Sequence, residues 1–218
     1  MKILNIALVA AALLAGGQSA LADGVAAGVK AGTLGGGVEL TTNIIPMLLN
    51  ARIQANGFRY NTTVNNTSVN YDAKLKLFSV GALADFYPLA GKFRITAGAY
   101  YNGNRLTLTG VPTAASYTFN GTTYTAAQAG SVTGTMDFNK LAPYAGIGWG
   151  DAVSSGSPIG FNIDFGVLYQ GKPKTTITAT GATAGLAADV AAEKARLDSE
   201  VKKYKFYPVA SVGISYHF

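Results

Sequence analysis

Ionisable residues recur at alternate positions of several segments whose remaining positions are apolar. Seven of them stand out: Glu39, Arg52, Asp72, Lys74, Lys76, Arg94 and Asp164. Paired carboxylates can perform general acid–base chemistry, and Asp85 is a further strand carboxylate. Arginines and lysines are available to neutralise these carboxylates, and charges inside a protein must be paired or hydrated. The residue types therefore favour an internal ion network over a catalytic carboxylate pair.

Other catalytic chemistry has little support in the composition. The single histidine, His217, is next to last in the chain, and there is no cysteine. Serine or aspartate mechanisms of hydrolysis need a histidine base beside the reactive group, and thiolate metal sites need cysteine. We therefore expect no enzyme activity, no metal site and no cofactor.

The elements that position the charges have a period of two. In residues 159–170, IGFNIDFGVLYQ, the apolar residues hold the odd positions and the amides and carboxylate hold even ones. This alternation predicts β-strands with one apolar and one polar face. It recurs in five further segments: 49–58, 71–77, 92–104, 141–150 and 206–218. Because the polar faces carry charges and the apolar faces end in aromatics, the pattern favours strands that face lipid.

The N-terminal segment decides the number of strands. Within residues 24–42, apolar residues hold odd positions up to Ala31 and even positions from Leu34. The change of phase indicates either a β-bulge in one long strand or a tight turn between two short ones. Two strands give a total of eight, and bacterial single-chain barrels have even numbers of strands. The predicted fold is all-β, an eight-stranded antiparallel transmembrane β-barrel.

The connections alternate between short and long, as in barrels with short periplasmic turns and long extracellular loops. Asn120-Gly121, between two short alternating runs, predicts a type I′ hairpin within one long loop. Residues 185–203 have apolar residues at helical spacing and predict a short amphipathic helix. That helix could lie over the barrel mouth, against lipid headgroups, or free in solvent.

The first 22 residues have the layout of a secretory signal peptide. Lys2 precedes a short apolar run, which ends before an Ala-x-Ala site at Ala22. The run falls short of the about 20 apolar residues that span a bilayer. Residues 1–22 are therefore expected to be a signal peptide, and residues 23–218 the barrel. The 17 basic residues are scattered along the chain, which argues against nucleic acid as a partner.

Two stretches carry a resemblance to a known family. Residues 143–150, PYAGIGWG, and the ending 207–218, YPVASVGISYHF, together with the N-terminal signal, resemble small Gram-negative outer-membrane barrels of the OmpW/CarO-like type. The resemblance implies a porin-like protein of the cell outer membrane, surrounded by its lipid and lipopolysaccharide. It also implies that Tyr216 and Phe218 are a signal for the barrel-assembly machinery.

Two functions remain open at this stage. The first is a narrow channel or binding barrel for small solutes; the second is a structural or surface-interaction protein without transport. Eight strands enclose little more than their own side chains. Inward-facing glycines could still leave a narrow wet path; they are Gly98, Gly146, Gly148, Gly166 and Gly213. An excess of basic residues in the lumen would then favour anions. A soluble periplasmic lipid-binding barrel is a third alternative.

The C-terminal aromatic residue supports a direct prediction. Deleting Phe218 should lower the amount of folded protein in the outer membrane, because the last strand would lose its expected assembly signal. The measurement is the heat-modifiable, folded band on a gel, with the envelope stress response as a second readout. An unchanged folded yield would contradict the assignment.

Overall fold

The computed structural model describes residues 24–65, 69–112, 116–150, 157–181 and 183–218, and the predicted signal peptide lies outside these ranges. The described chain contains thirteen strands and two helices. The strands are β1 Val25–Gly32, β2 Gly35–Ile45, β3 Leu49–Asn65, β4 Val69–Phe86, β5 Phe93–Asn102, β6 Arg105–Pro112, β7 Ser116–Phe119, β8 Thr122–Thr125, β9 Val132–Asp137, β10 Leu141–Trp149, β11 Ile159–Tyr169, β12 Lys174–Ala179 and β13 Phe206–His217. The helices are α1 Ala126–Ala129 and α2 Leu186–Val201.

Eight of the strands close an antiparallel barrel, which confirms the predicted fold. Their order around the barrel is β1, β2, β3, β4, β5, β10, β11 and β13. The circle closes where β13 pairs with β1, with Ala26 opposite His217. The N-terminal segment forms two strands, since β1 and β2 are joined by a turn at Thr33 and Leu34. Gly35, at the end of this turn, has a φ of 101°, which favours glycine.

The barrel is apolar outside and polar inside. Ile53 and Phe161 are 61% and 70% exposed, whereas their chain neighbours Arg52 and Asn162 are each 3% exposed. A protein surrounded by water would bury the larger apolar side chains, so the exposed apolar band is the surface that faces lipid. The rings of Tyr169 and Phe206 pack together near one edge of the band, 5.3 Å apart.

The fourth strand of the barrel differs from the predicted one. Only residues 79–86 of β4 pair with β5, whereas residues 69–76 pair with β6. Residues 71–77, predicted to be a barrel strand, therefore lie beyond the end of the barrel that we take as extracellular. The physical reason is length: β4 has 18 residues, and a tilted strand needs about 9–11 to cross a bilayer.

Part of the barrel wall continues beyond the membrane. The upper half of β3 pairs with the upper half of β4, and β6, β9 and β12 follow β4 in that order. We call this sheet, made of residues 58–65 and 69–77 with β6, β9 and β12, the extracellular wall. β6 prolongs the line of β5 after Gly103 and Asn104, where the Gly103 N–H donates to the Phe78 carbonyl at 2.8 Å. Much of the predicted long loops is therefore strand.

A small hydrophobic core, separate from the barrel interior, lies on one face of the extracellular wall. It contains five buried residues from the hairpin and both helices, packed against Val132, Ile177 and Ala179 of the wall: Phe119, Tyr124, Ala129, Leu186 and Val190. The predicted hairpin is confirmed as β7–β8, with Asn120 and Gly121 at φ of 49° and 81°. The predicted helix is confirmed as α2. It packs on the wall and the hairpin, so the alternative of a helix free in solvent is wrong.

Neither helix of the described chain has both the length and the apolar character that a membrane-spanning helix requires.

Depth in the lipid-facing band should set the cost of a buried charge. Ile163→Arg, in the middle of β11, should destabilise the barrel by about 2–4 kcal/mol. Ile159→Arg, at the first residue of the same strand, should cost about 0–1 kcal/mol because the guanidinium reaches the interface. Denaturant titration of the refolded variants in lipid vesicles measures both, and equal costs would contradict the assigned membrane position.

The contact between hairpin and helix should depend on pH. The Asp189 carboxylate accepts hydrogen bonds from the Tyr124 hydroxyl at 2.7 Å and Asn120 Nδ2 at 3.2 Å. These bonds lower the pKa of Asp189 below its ordinary value of about 3.8. Since the folded pKa is depressed, the stabilisation is present above the ordinary pKa and is lost as the pH falls through the lowered value.

NMR titration of the Asp189 carboxyl carbon measures this pKa directly. Tyr124→Phe removes the hydroxyl and should return the pKa of Asp189 toward the ordinary aspartate value, with the ring left to pack. A pKa that is unchanged by this substitution would show that the Tyr124 hydroxyl does not stabilise the carboxylate.

Candidate functional site

Six charged side chains meet inside the barrel, each on a different strand. All are at most 9% exposed, and they come from β1, β2, β3, β4, β5 and β11: Lys30, Glu39, Arg52, Asp85, Arg94 and Asp164. Along these strands the side chains alternate between lipid and lumen, so one inward position per strand at similar height brings the six together. We call this set the lumen network.

Arg52 lies at the centre of the lumen network. Its Nη1 atom is 3.1 Å from Asp164 Oδ2 and 3.4 Å from Glu39 Oε2, and its Nη2 atom is 3.0 Å from Asp85 Oδ1. One guanidinium thus joins three carboxylates on three other strands. The planar, forked geometry of arginine suits such multiple contacts, which a lysine could not all make.

The other two cations complete the charge balance. Arg94 Nη2 is 2.7 Å from Asp164 Oδ1, and its Nη1 atom donates to the Gly150 carbonyl. Lys30 Nζ donates to Gln54 Oε1 at 2.6 Å and lies 3.3 Å from Glu39 Oε2. Three cations therefore face three carboxylates, and the lumen network has no formal net charge.

Neutral polar side chains satisfy further oxygen atoms of the lumen network. The Thr96 hydroxyl donates to Asp85 Oδ1 at 2.5 Å, and Asn162 Nδ2 donates to Glu39 Oε1 at 3.0 Å. Removing ions from water costs several kcal/mol per ion unless partners and hydrogen bonds replace the water. These contacts explain how a fully charged layer is accommodated inside a narrow barrel.

An apolar layer fills the lumen on the extracellular side of the lumen network. It consists of seven buried residues: Leu34, Leu83, Tyr100, Ala142, Tyr144, Leu168 and Val209. The rings of Tyr100 and Tyr144 meet edge to face at 5.5 Å. The Tyr144 ring lies across Gly146 and Gly166, where any side chain would collide with its hydroxyl.

Little free space is left between the two layers. The cavity there has a volume of about 10 Å³ and is lined by Arg52 and Asp164 below and by Tyr100 and Tyr144 above. That is room for about one water molecule. On the periplasmic side, the cleft between Glu39, Asp85 and Tyr87 has no such room. These two spaces among the described residues thus hold no more than about one water molecule.

The inward-facing glycines serve a different purpose from the one expected. A side chain at Gly148 would collide with Arg94 and Asp164, and one at Gly213 would collide with Asn162. Gly98 is similarly close to Leu83. The space beside these glycines is taken by larger neighbours, so the glycines make room for those side chains and do not line open space.

Four of the seven predicted lumen charges belong to the lumen network: Glu39, Arg52, Arg94 and Asp164. Sequence reasoning counted Asp85 among the carboxylates of an internal ion network but not among the seven lumen charges, and it missed Lys30. The signal was present for both, because each alternates with apolar neighbours, Lys30 between Val29 and Ala31 and Asp85 between Ala84 and Phe86.

The interpretation of Asp72, Lys74 and Lys76 as lumen charges is wrong. The pairing of β3 with β4 runs without a shift from one end to the other, so these even-numbered residues share the outward face of Val80 and Ala82. Lys74 and Lys76 are exposed, and Asp72 accepts a hydrogen bond from Thr63 at 2.7 Å. The prediction of a basic excess in the lumen is therefore wrong as well, because the lumen network has three cations and three carboxylates.

The two C-terminal aromatics lie at the barrel seam. Tyr216 is 38% exposed, and its ring meets that of Phe218 edge to face at 5.2 Å. The Phe218 N–H donates to the Val25 carbonyl at 3.0 Å, which keeps the last residue on β1. His217, whose N–H donates to the Pro158 carbonyl, is also at this end. The suggested role of Tyr216 and Phe218 in assembly stays a prediction.

The chain is similar to known proteins in its three-dimensional structure. No known family profile matches the chain, and no curated protein sequence matches it. The crystal structures of CarO2 and CarO from Acinetobacter baumannii superpose with TM-scores of 0.58 and 0.56, each at 25% identity. Each match covers 89% of this chain and 98% of the other.

The likeness extends over nearly the whole of those proteins, and CarO is an outer-membrane protein. The closed eight-stranded antiparallel barrel of this chain agrees with this comparison, since the neighbours are outer-membrane barrels. The chain is therefore a closed eight-stranded β-barrel that is similar to the outer-membrane protein CarO.

Proposed function

We propose that this protein is a closed outer-membrane barrel with a structural or surface-interaction role. One observation carries the proposal: the lumen is filled by a neutral ion network beneath an apolar layer, with a cavity of about 10 Å³ between them. A hydrated ion or solute would have to displace paired charges from the first layer and tyrosine rings from the second. The barrel then acts as an anchor for the extracellular wall and its hairpin and helix.

The energetics of the lumen network favour a permanently closed state. Separating Arg52 from its three carboxylates would leave buried charges without partners, which typically costs about 3–5 kcal/mol. The three carboxylates are on β2, β4 and β11, so a solute could not pass Arg52 without breaking contacts on several sides. The lumen network therefore locks the barrel wall together.

A narrow gated channel or a binding barrel for small solutes is the second candidate. The observation in its favour is Tyr144, whose ring spans Gly146 and Gly166. Rotation of the Tyr144 side chain would uncover these two glycines and enlarge the cavity that Tyr144 lines. Passage would still require the lumen network to open, and its balanced charge gives no preference for anions.

Electrical measurement separates the two candidates. Refolded wild-type protein should give no steady current in planar lipid bilayers, because both layers of the lumen are filled. The double variant Arg52→Ala and Tyr144→Ala, which removes one large side chain from each layer, is the matched comparison and should conduct. Heat-modifiable gel mobility confirms folding of both. A steady wild-type current would overturn the closed barrel and favour the channel.

The lumen network should also dominate the stability of the barrel. Arg52→Met should destabilise the protein by about 3–5 kcal/mol, since it leaves three buried carboxylates with an unmatched charge. Arg59→Met on the same strand is the control, because Arg59 is exposed and such changes are usually within about 0.5 kcal/mol. Denaturant titration measures the free energy of unfolding of both variants. Equal effects would show that the lumen network does not dominate the stability of the barrel.

A further inference from the structure

A row of basic side chains crosses the extracellular wall just above the barrel. Arg59 is paired with Lys76, Lys76 with Arg105, Arg105 with Asp137, and Asp137 with Lys174. Residues directly opposite each other in antiparallel strands project from the same face of a sheet. Five neighbouring strands thus present four cations and one carboxylate along a line of about 20 Å, at about 5 Å per strand. We call these residues the basic row.

The basic row lies on the outer face of the wall. Lys76 has the same parity as Val80 and Phe86 of the lipid-facing band, and no shift in register intervenes. The four cations are exposed. The opposite face is the one covered by the hairpin and α2, so neither of these elements can cover the basic row.

The height of the basic row is marked by aromatic residues directly beneath it. Phe78 and Tyr101 are 40% and 52% exposed on the outer face, and their rings meet edge to face at 6.4 Å. Lys140 Nζ lies 5.9 Å from the centre of the Tyr101 ring. Aromatic girdles mark the edge of the hydrocarbon region around a barrel. In β4, Lys76 of the basic row comes two residues before Phe78, on the side away from the barrel. The basic row is therefore level with the lipid headgroups of the outer leaflet.

The charges of the basic row are not balanced within the described residues. Arg105 Nε has an ion pair with Asp137 at 2.7 Å, whereas Arg59, Lys76 and Lys174 have no carboxylate within ion-pair distance there. Like charges directly opposite each other in a sheet are unfavourable. Arg59, Lys76 and Arg105 are three adjacent cations, so an external anion would remove a repulsion as well as form new contacts.

We propose that the basic row binds the phosphate groups of the phosphorylated glycolipid that forms the outer leaflet. The occupant follows from three observations: unpaired cations, their exposure on the outer face, and their position at the upper edge of the lipid-facing band. Arginine and lysine both bind phosphate, arginine through two parallel hydrogen bonds. This inference depends on the membrane position of the barrel but not on whether the barrel conducts.

Binding of purified lipid A to the refolded, full barrel in a non-ionic detergent tests the proposal. The two probes are lipid A with both phosphates and the same lipid with its phosphates removed, with native mass spectrometry as the readout. Wild type should prefer the phosphorylated lipid. Lys76→Glu should lose at least about fivefold in affinity, the factor expected when one basic residue is lost at a membrane surface.

Lys92→Glu is the matched control. Lys92 is an exposed lysine at the opposite end of the barrel, in the turn before β5, and the substitution changes the net charge by the same amount. It should leave binding of the phosphorylated lipid unchanged. A triple variant, Arg59→Gln with Lys76→Gln and Lys174→Gln, should abolish the preference for phosphate while heat-modifiable mobility shows that the barrel still folds.

Each other outcome would overturn the proposal. Equal binding of the two lipids by wild type would show that phosphate is not recognised. An equal loss in Lys76→Glu and Lys92→Glu would show that only overall charge matters. Full competition by inorganic phosphate at the same concentration as the lipid would assign the basic row to a free anion instead of a headgroup.

Discussion

A barrel of eight strands leaves room inside only for its own side chains, and this constraint governs the interior of the protein. Any charge placed there loses its water, so it must find an opposite charge at contact distance. Arg52 meets this requirement by touching carboxylates from three strands, and Arg94 and Lys30 neutralise what remains. The same contacts that make the interior tolerable for ions also occupy most of its space.

The second constraint is that a strand without a bulge never changes which side its odd and even residues face. In β4, the even residues face outward both in the barrel and in the extracellular wall. Below, the outside is lipid, and the even residues are all apolar: Phe78, Val80, Ala82, Ala84 and Phe86. Above, the outside is the polar headgroup region and water, and the inside is covered by the hairpin and α2, so the even residues include Lys74 and Lys76. The outward-facing residues of this one strand thus change from apolar to charged, while the side to which they point stays the same.

That inversion explains both the success and the failure of sequence reasoning. Alternation correctly predicted the apolar exterior and the inward placement of Glu39, Arg52, Arg94 and Asp164. The number of strands needed a second argument, the even strand number of bacterial barrels, to choose between one bulged strand and two strands at the N-terminus. It could not show that residues 71–77 lie above the membrane, because both halves of β4 alternate equally well. The decisive information is the pairing partner, β5 or β6, which depends on contacts far along the chain. The ion partners were equally inaccessible, since Arg52 and Asp164 are 112 residues apart.

The seam between β1 and β13 has a consequence for folding kinetics. Ala26 pairs with His217, and the Phe218 N–H bonds to Val25, so the first and last strands complete the barrel together. Contacts between such distant parts of a chain carry a large loop-closure cost before they contribute any stabilisation, and folds dominated by them form slowly. Until β13 arrives, β1 and β11 are both open edges able to pair with other chains. Protection of these edges during synthesis and export is therefore a requirement of the topology itself.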